Sequence, residues 1–161
     1  MLTLEAAGER EQEAVGAALA ACLKPPCIVY LEGDLGAGKT TLVRGLLRAG
    51  GYDGAVRSPT YTLMEPYPLP AGTLWHLDLY RLGDPEELEY LGLRDLLQDD
   101  VLLLVEWPGR GRGVLPPADL VIRIGYLPGA RQLRFEPVTA RGGEVVADLA
   151  RLLQHKVKGS A

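Results

Sequence analysis

Residues 33 to 40 read Gly33-Asp34-Leu35-Gly36-Ala37-Gly38-Lys39-Thr40, a complete G-x-x-x-x-G-K-T run, directly after the short apolar run Cys27-Ile28-Val29-Tyr30-Leu31. Few sequences constrain a fold as tightly. Such a loop works only between a buried strand and a helix, because its glycines must take backbone angles closed to other residues so that successive N–H groups turn inward around an anion. The continuation Thr41-Leu42-Val43-Arg44-Gly45-Leu46-Leu47-Arg48 predicts the helix whose first N–H groups face that anion. Lys39 is spaced to reach the β and γ phosphates of a nucleoside triphosphate, and Thr40 to offer its hydroxyl to Mg²⁺. A glycine-rich turn matching by accident would not bring strand, loop and helix in this order.

The rest of the composition narrows what such a chain does. At 161 residues and 47% hydrophobic, one domain spanning 1–161 is expected, long enough to bury about two-thirds of its surface. The net charge of −4 argues against a protein whose main work is gripping nucleic-acid phosphates, so any RNA is expected to be met through a partner. No apolar run approaches the roughly 20 residues that span a bilayer. The N-terminus, with Glu5, Glu9, Arg10, Glu11 and Glu13, lacks the apolar centre of a signal peptide, which makes the cytoplasm the default address. Cys22 and Cys27 are not spaced as a metal or redox pair and read as small buried hydrophobes.

Periodicity places the remaining elements. Ala14, Val15, Ala18, Leu19 and Cys22 predict an amphipathic helix over 9–23, ended by Lys24-Pro25-Pro26. A strand over 60–65 and a returning strand over 73–80, parted by Pro68-Leu69-Pro70-Ala71-Gly72, predict a hairpin. Asp84-Pro85-Glu86-Glu87 has the form of a helix start, and a second short helix is expected over 94–98. The apolar run 101–105 reads as a strand covered on both faces. Residues 119–126 and 132–138 predict a second hairpin, Val145 to Leu153 a closing helix, and the end from about residue 156 is expected to fray.

Several residues outside the loop carry candidate chemistry. Glu106 follows the strand 101–105, where phosphate-loop proteins place a carboxylate near Mg²⁺, usually Asp; a solvated strand-end glutamate is the plain alternative. Alternation sets His76, Asp78 and Tyr80 on one face and Trp75, Leu77 and Leu79 on the other, so Asp78 can face the loop or simply be solvated. His76 reads as structural. Trp107 stands at a strand end, where sheets of this class bind ligands, and would wall the site or pack a loop. Arg110 and Arg112 read as a basic loop. Of four lysines, Lys39 stands alone between Lys24 and Lys156, and the Asn-Lys-x-Asp segment that reads guanine in switch-type GTPases is absent, which favours adenine.

Five segments in one order, 33–41, Ser58-Pro59-Thr60-Tyr61-Thr62-Leu63, His76 to Leu82, Asp84 to Glu89 and Val105-Glu106-Trp107-Pro108, closely resemble the TsaE (YjeE) family over about residues 27–135. That bacterial family is required for N6-threonylcarbamoyladenosine formation in tRNA. The resemblance implies that Gly33, Asp34, Leu35, Gly36, Ala37, Gly38, Lys39, Thr40 and Thr41 hold ATP, with Thr40 and Glu106 completing the Mg²⁺ shell. It implies further that Asp78 is a carboxylate needed for hydrolysis, that Thr60 lies in a switch-like loop, that Trp107 lines the pocket, and that Arg131 lies near the nucleotide. Gln12 stands where the family often has Thr, so no adenine contact is carried over to residues 9–13.

The expected fold is therefore an α/β P-loop NTPase, a central, partly parallel sheet with antiparallel hairpins and helices on both faces. The expected activity is Mg²⁺-dependent ATP hydrolysis, catalysed by positioning and charge through Lys39, Asp78 and Glu106. The resemblance implies that hydrolysis drives or resets a TsaB–TsaD complex. The alternatives are a nucleotide-gated assembly factor with incidental hydrolysis and a small-molecule kinase, for which only Arg110 and Arg112 offer lid arginines.

Overall fold

The computed structural model describes residues 1–34, 36–57, 59 and 61–159, with side chains to residue 154. Leu35, Ser58 and Thr60, all named above, lie outside the described residues. One seven-stranded sheet takes strands from both ends of the sequence: β1 (Leu2–Ala6), β2 (Cys27–Gly33), β3 (Met64–Leu69), β4 (Gly72–Asp78), β5 (Leu102–Glu106), β6 (Leu120–Leu127) and β7 (Ala130–Pro137). Their spatial order is β1-β7-β6-β2-β5-β4-β3. The four central strands, β6, β2, β5 and β4, run parallel, and the antiparallel pairs lie outside them. This is the expected α/β architecture, and it brings the carboxyl ends of β2, β4, β5 and β6 to one edge.

Helices cover both faces. Helices α1 (Gly8–Cys22), α2 (Lys39–Ala49) and α5 (Ala140–Gly159) cover the larger core, which contains Leu31, Leu42, Leu47, Leu104 and Phe135. Two short helices, α3 (Glu87–Tyr90) and α4 (Leu93–Leu96), sit over a second core of Leu77, Leu79, Leu88, Leu103 and Val105. Strand β5, buried at every position, is sandwiched between the two. Each of its leucines removed from water contributes about 1.5–3 kcal/mol. Cys22 and Cys27 are buried free thiols, as expected.

Helices α1 and α2 cross unusually closely because each presents a glycine. A Cβ on Gly16 would lie 2.2 Å from the Leu42 carbonyl oxygen, and one on Gly45 would lie 2.2 Å from that of Glu13. The contact ties the N-terminal half of α1 to the helix that follows the phosphate loop.

Three elements differ from the sequence reading. Strand β1, unforeseen, adds to the edge of β7 with Leu2 opposite Phe135 and Leu4 opposite Leu133. The first hairpin strand begins at Met64, later than expected, and runs through Pro66 and Pro68 to a two-residue turn at Pro70–Ala71. It tolerates prolines because it is the outermost strand, whose free edge needs no donor. The expectation of a frayed end from about residue 156 meets a backbone that is helical to Gly159, with Ser160 and Ala161 outside the described residues. Among the described residues, no helix is long and apolar enough to cross a membrane.

Candidate nucleotide site

The loop leaves the end of β2 and enters α2 at Lys39. Gly38 immediately before it has φ 103°, open to glycine at little cost, and caps the helix without a side chain, so no capping side chain occupies the first-turn N–H groups. Lys39 is only 6% exposed. Its Nζ donates to the Gly33 carbonyl at 2.5 Å and lies 4.3 Å from the centre of the Trp107 ring. Burial pulls the Lys39 pKa below the ordinary lysine value, while the carboxylates of Glu106, Asp78 and Asp34 act in the opposite sense. The ammonium is thus largely buried, lies in the field of three carboxylates and stacks on an aromatic face.

Trp107 takes that place at a cost. Its φ of 56° is in the left-handed region, rare for a large side chain and strained by the order of 1 kcal/mol. The strained turn between β5 and the 3₁₀ turn Pro108–Gly111 carries the indole beside Lys39 and within 5.1 Å of the Tyr80 ring. Arg110 stacks 5.6 Å from the other aromatic, Tyr80.

Asp78 and Glu106 are paired in register at the ends of β4 and β5. Both are buried, at 6% and 3% exposure, so neither is a solvated strand-end acid. Asp78 Oδ1 accepts the Tyr80 N–H at 3.0 Å, and Glu106 Oε2 lies 2.6 Å from His76 Nε2. Adjacent parallel strands in register bring residues from sequence positions 28 apart onto one face of the sheet, beside the loop lysine. Thr40, the second residue of α2, is half-buried.

Two clefts flank the loop. An open one of about 530 Å³ is lined by Glu32, Gly33, Asp34, Trp107, Pro108 and Arg110. A narrower one of about 210 Å³ lies between α1 and the β6–β7 turn, lined by Glu9, Gln12, Gly36, Gly38, Thr41 and Arg131. Arg131, remote in sequence, is therefore brought to the phosphate loop, its guanidinium stacked 4.4 Å from the Tyr126 ring. Arg112 is exposed and lines neither cleft.

Sequence reasoning singled out Gln12 only as a departure from the family's usual Thr and missed its contact with the loop. Gln12 is 4% exposed, and its Nε2 donates to the Ala37 carbonyl at 3.1 Å and the Gly38 carbonyl at 3.0 Å. Both partners are acceptors, so the amide nitrogen must face the loop. A residue of the first helix thus holds the end of the phosphate loop where it enters α2. The sequence signals are a polar residue on the apolar face of an amphipathic helix and the departure from the family's usual Thr.

A family model described as "Threonylcarbamoyl adenosine biosynthesis protein TsaE" matches residues 6–133. The chain belongs to the TsaE family. Relatives named tRNA threonylcarbamoyladenosine biosynthesis protein TsaE include that of Haemophilus influenzae, 48% identical over 74% of this chain and 76% of its own length. That of Bacillus subtilis is 36% identical over 88% and 89%. The crystal structure of Bacillus subtilis YdiB superposes with a TM-score of 0.78 and 31% identity, covering 93% of this chain and 94% of that one. Family and fold agree on a P-loop NTPase, and the family and its relatives' names support a role in threonylcarbamoyladenosine synthesis, as read from the five motifs.

Proposed function

We propose that this TsaE-family chain hydrolyses Mg²⁺-bound ATP and that the hydrolysis drives or resets a TsaB–TsaD complex during tRNA modification. The observation that carries the reading is the convergence of Lys39 with two buried carboxylates, Asp78 and Glu106, at the rim of a phosphate loop. The residues suit magnesium. Among the described residues no group of three or more His, Cys, Asp or Glu could hold a metal by itself. A hydroxyl and one or two carboxylates, with phosphates and water filling the remaining positions, is the pattern this small hard cation favours.

In this reading, loop N–H groups from Gly33 to Thr41 and the Lys39 ammonium bind the triphosphate, with Thr40 and Glu106 facing the metal. Magnesium, when bound, neutralises charge on the β and γ oxygens. Asp78, beside Glu106, orients the attacking water, and Trp107 excludes bulk solvent around Lys39. Thr41 and Arg131 place the nucleoside over the narrower cleft by α1, leaving the larger cleft at Trp107 to the γ-phosphate end. Thr60 belongs to a loop that orders on the γ phosphate.

Glu106→Gln and Asp78→Asn should each bind ATP while turnover falls at least roughly a hundredfold. Lys39→Ala should weaken ATP binding at least about tenfold through lost charge-assisted bonds. Hydrolysis should be slow alone and stimulated by TsaB–TsaD, with association favoured by ATP over ADP or no nucleotide in pull-downs. Wild-type turnover in both carboxylate variants would defeat the catalytic assignment. Equal association in all three nucleotide states, with no change in rate, would leave only a constitutive nucleotide-binding subunit.

A further inference from the structure

His76 is fully buried in β4, and its Nε2 lies 2.6 Å from Glu106 Oε2. Its Nδ1 is the one buried side-chain nitrogen or oxygen with no hydrogen-bond partner among the described residues. Placing an imidazole in a sheet interior with half its hydrogen-bonding capacity unfilled costs stability that an apolar side chain of similar size would not. What the ring does make is a single short bond to a carboxylate. Because Glu106 offers only acceptors when ionised, Nε2 must carry the proton.

The pairing acts on geometry. Glu106 ends β5 and is buried, and its Oε2 is bonded to His76 Nε2 from the neighbouring strand. With Oε2 taken by the imidazole, Oε1 is the oxygen of Glu106 that this bond leaves available. His76 lies two residues before Asp78, on the same side of β4, so one strand supplies one carboxylate and holds the other.

We propose that His76 is a positioning residue that orients Glu106 toward the magnesium of the bound nucleotide, an inference that rests on the reading of Glu106 as the metal-facing carboxylate. Partners that orient a metal ligand typically change metal affinity or activity 10–100-fold when removed. His76 therefore acts on metal binding and on turnover through Glu106, without touching the nucleotide.

Two amides separate this from a packing role. In His76→Gln the side-chain nitrogen occupies roughly the place of Nε2, whereas in His76→Asn it occupies roughly that of Nδ1 and falls short of Glu106. Both keep a polar group in the sheet. Mn²⁺ binding to the folded protein saturated with a non-hydrolysable ATP analogue, read by electron paramagnetic resonance, should be near wild type for His76→Gln and about tenfold weaker for His76→Asn. ATP affinity without metal should match wild type in both. The kcat should follow the metal, and by linkage the KM for ATP in the presence of metal should rise as metal affinity falls. His76→Asn with wild-type metal affinity, or Gln and Asn variants equally impaired, would overturn the proposal. Glu106→Gln serves as the reference: if it too kept wild-type Mn²⁺ affinity, the Glu106 reading would fall and the His76 proposal with it. If Glu106→Gln loses metal and His76→Asn does not, only the His76 proposal is refuted.

Discussion

Replacing Gln12 removes a support that lies on a different element from every motif residue. Its Nε2 bonds the carbonyls of Ala37 and Gly38, and the Gly38 carbonyl also accepts the Leu42 N–H that opens α2. Each hydrogen bond contributes about 1 kcal/mol net, so Gln12→Ala forfeits about 2 kcal/mol. Water entering from the narrower cleft, which Gln12 itself lines, recovers part of this. The remaining 1–2 kcal/mol corresponds to roughly 5–30-fold in ATP affinity if it falls on the loop's binding geometry. Gln12→Glu is the sharper probe, because it preserves shape yet cannot donate and sets a negative charge beneath an anion site. It should bind ATP more weakly than the alanine variant. Isothermal titration with ATP, paired with thermal melts to confirm folding, makes the measurement. Affinity within twofold of wild type in both variants would refute the view that α1 shapes the phosphate loop.

Two further predictions concern stability. Gly45→Ala gains up to about 1 kcal/mol of helix propensity but drives a methyl group into the Glu13 carbonyl, so net destabilisation of about 1–3 kcal/mol is expected by urea titration; a neutral or stabilising result would mean that the α1–α2 crossing relaxes freely. Burial pushes the Cys27 thiol up to about 11, with Asp119 adding to the effect. A raised folded-state value means that the stabilisation is complete below the unfolded value near 9 and is lost as pH rises through 11, amounting to about 2–3 kcal/mol. Cys27→Ala should flatten that alkaline decline, and an unchanged pH profile would remove Cys27 as its cause.

Most of what depends on neighbours within a few residues was legible in the sequence, although the positive φ of Trp107 and the late start of β3 were not. The phosphate loop with its strand and helix, the alternation that puts Asp78 opposite the Leu77 face, and the apolar run ending in Glu106 all follow from backbone angles and side-chain period. Tertiary structure decided which of these elements lie side by side. The order β2-β5-β4 and its register set Asp78 beside Glu106, and no periodicity in either strand encodes that pairing. The same holds for β1, a strand of alternating Leu2 and Leu4 that exists because β7 offers an edge. Gln12 and His76 looked like ordinary polar residues, since their partners lie 25 to 30 positions away. A hydrogen bond is worth its full value only where water is excluded, and which groups are buried together is a property of the packed chain.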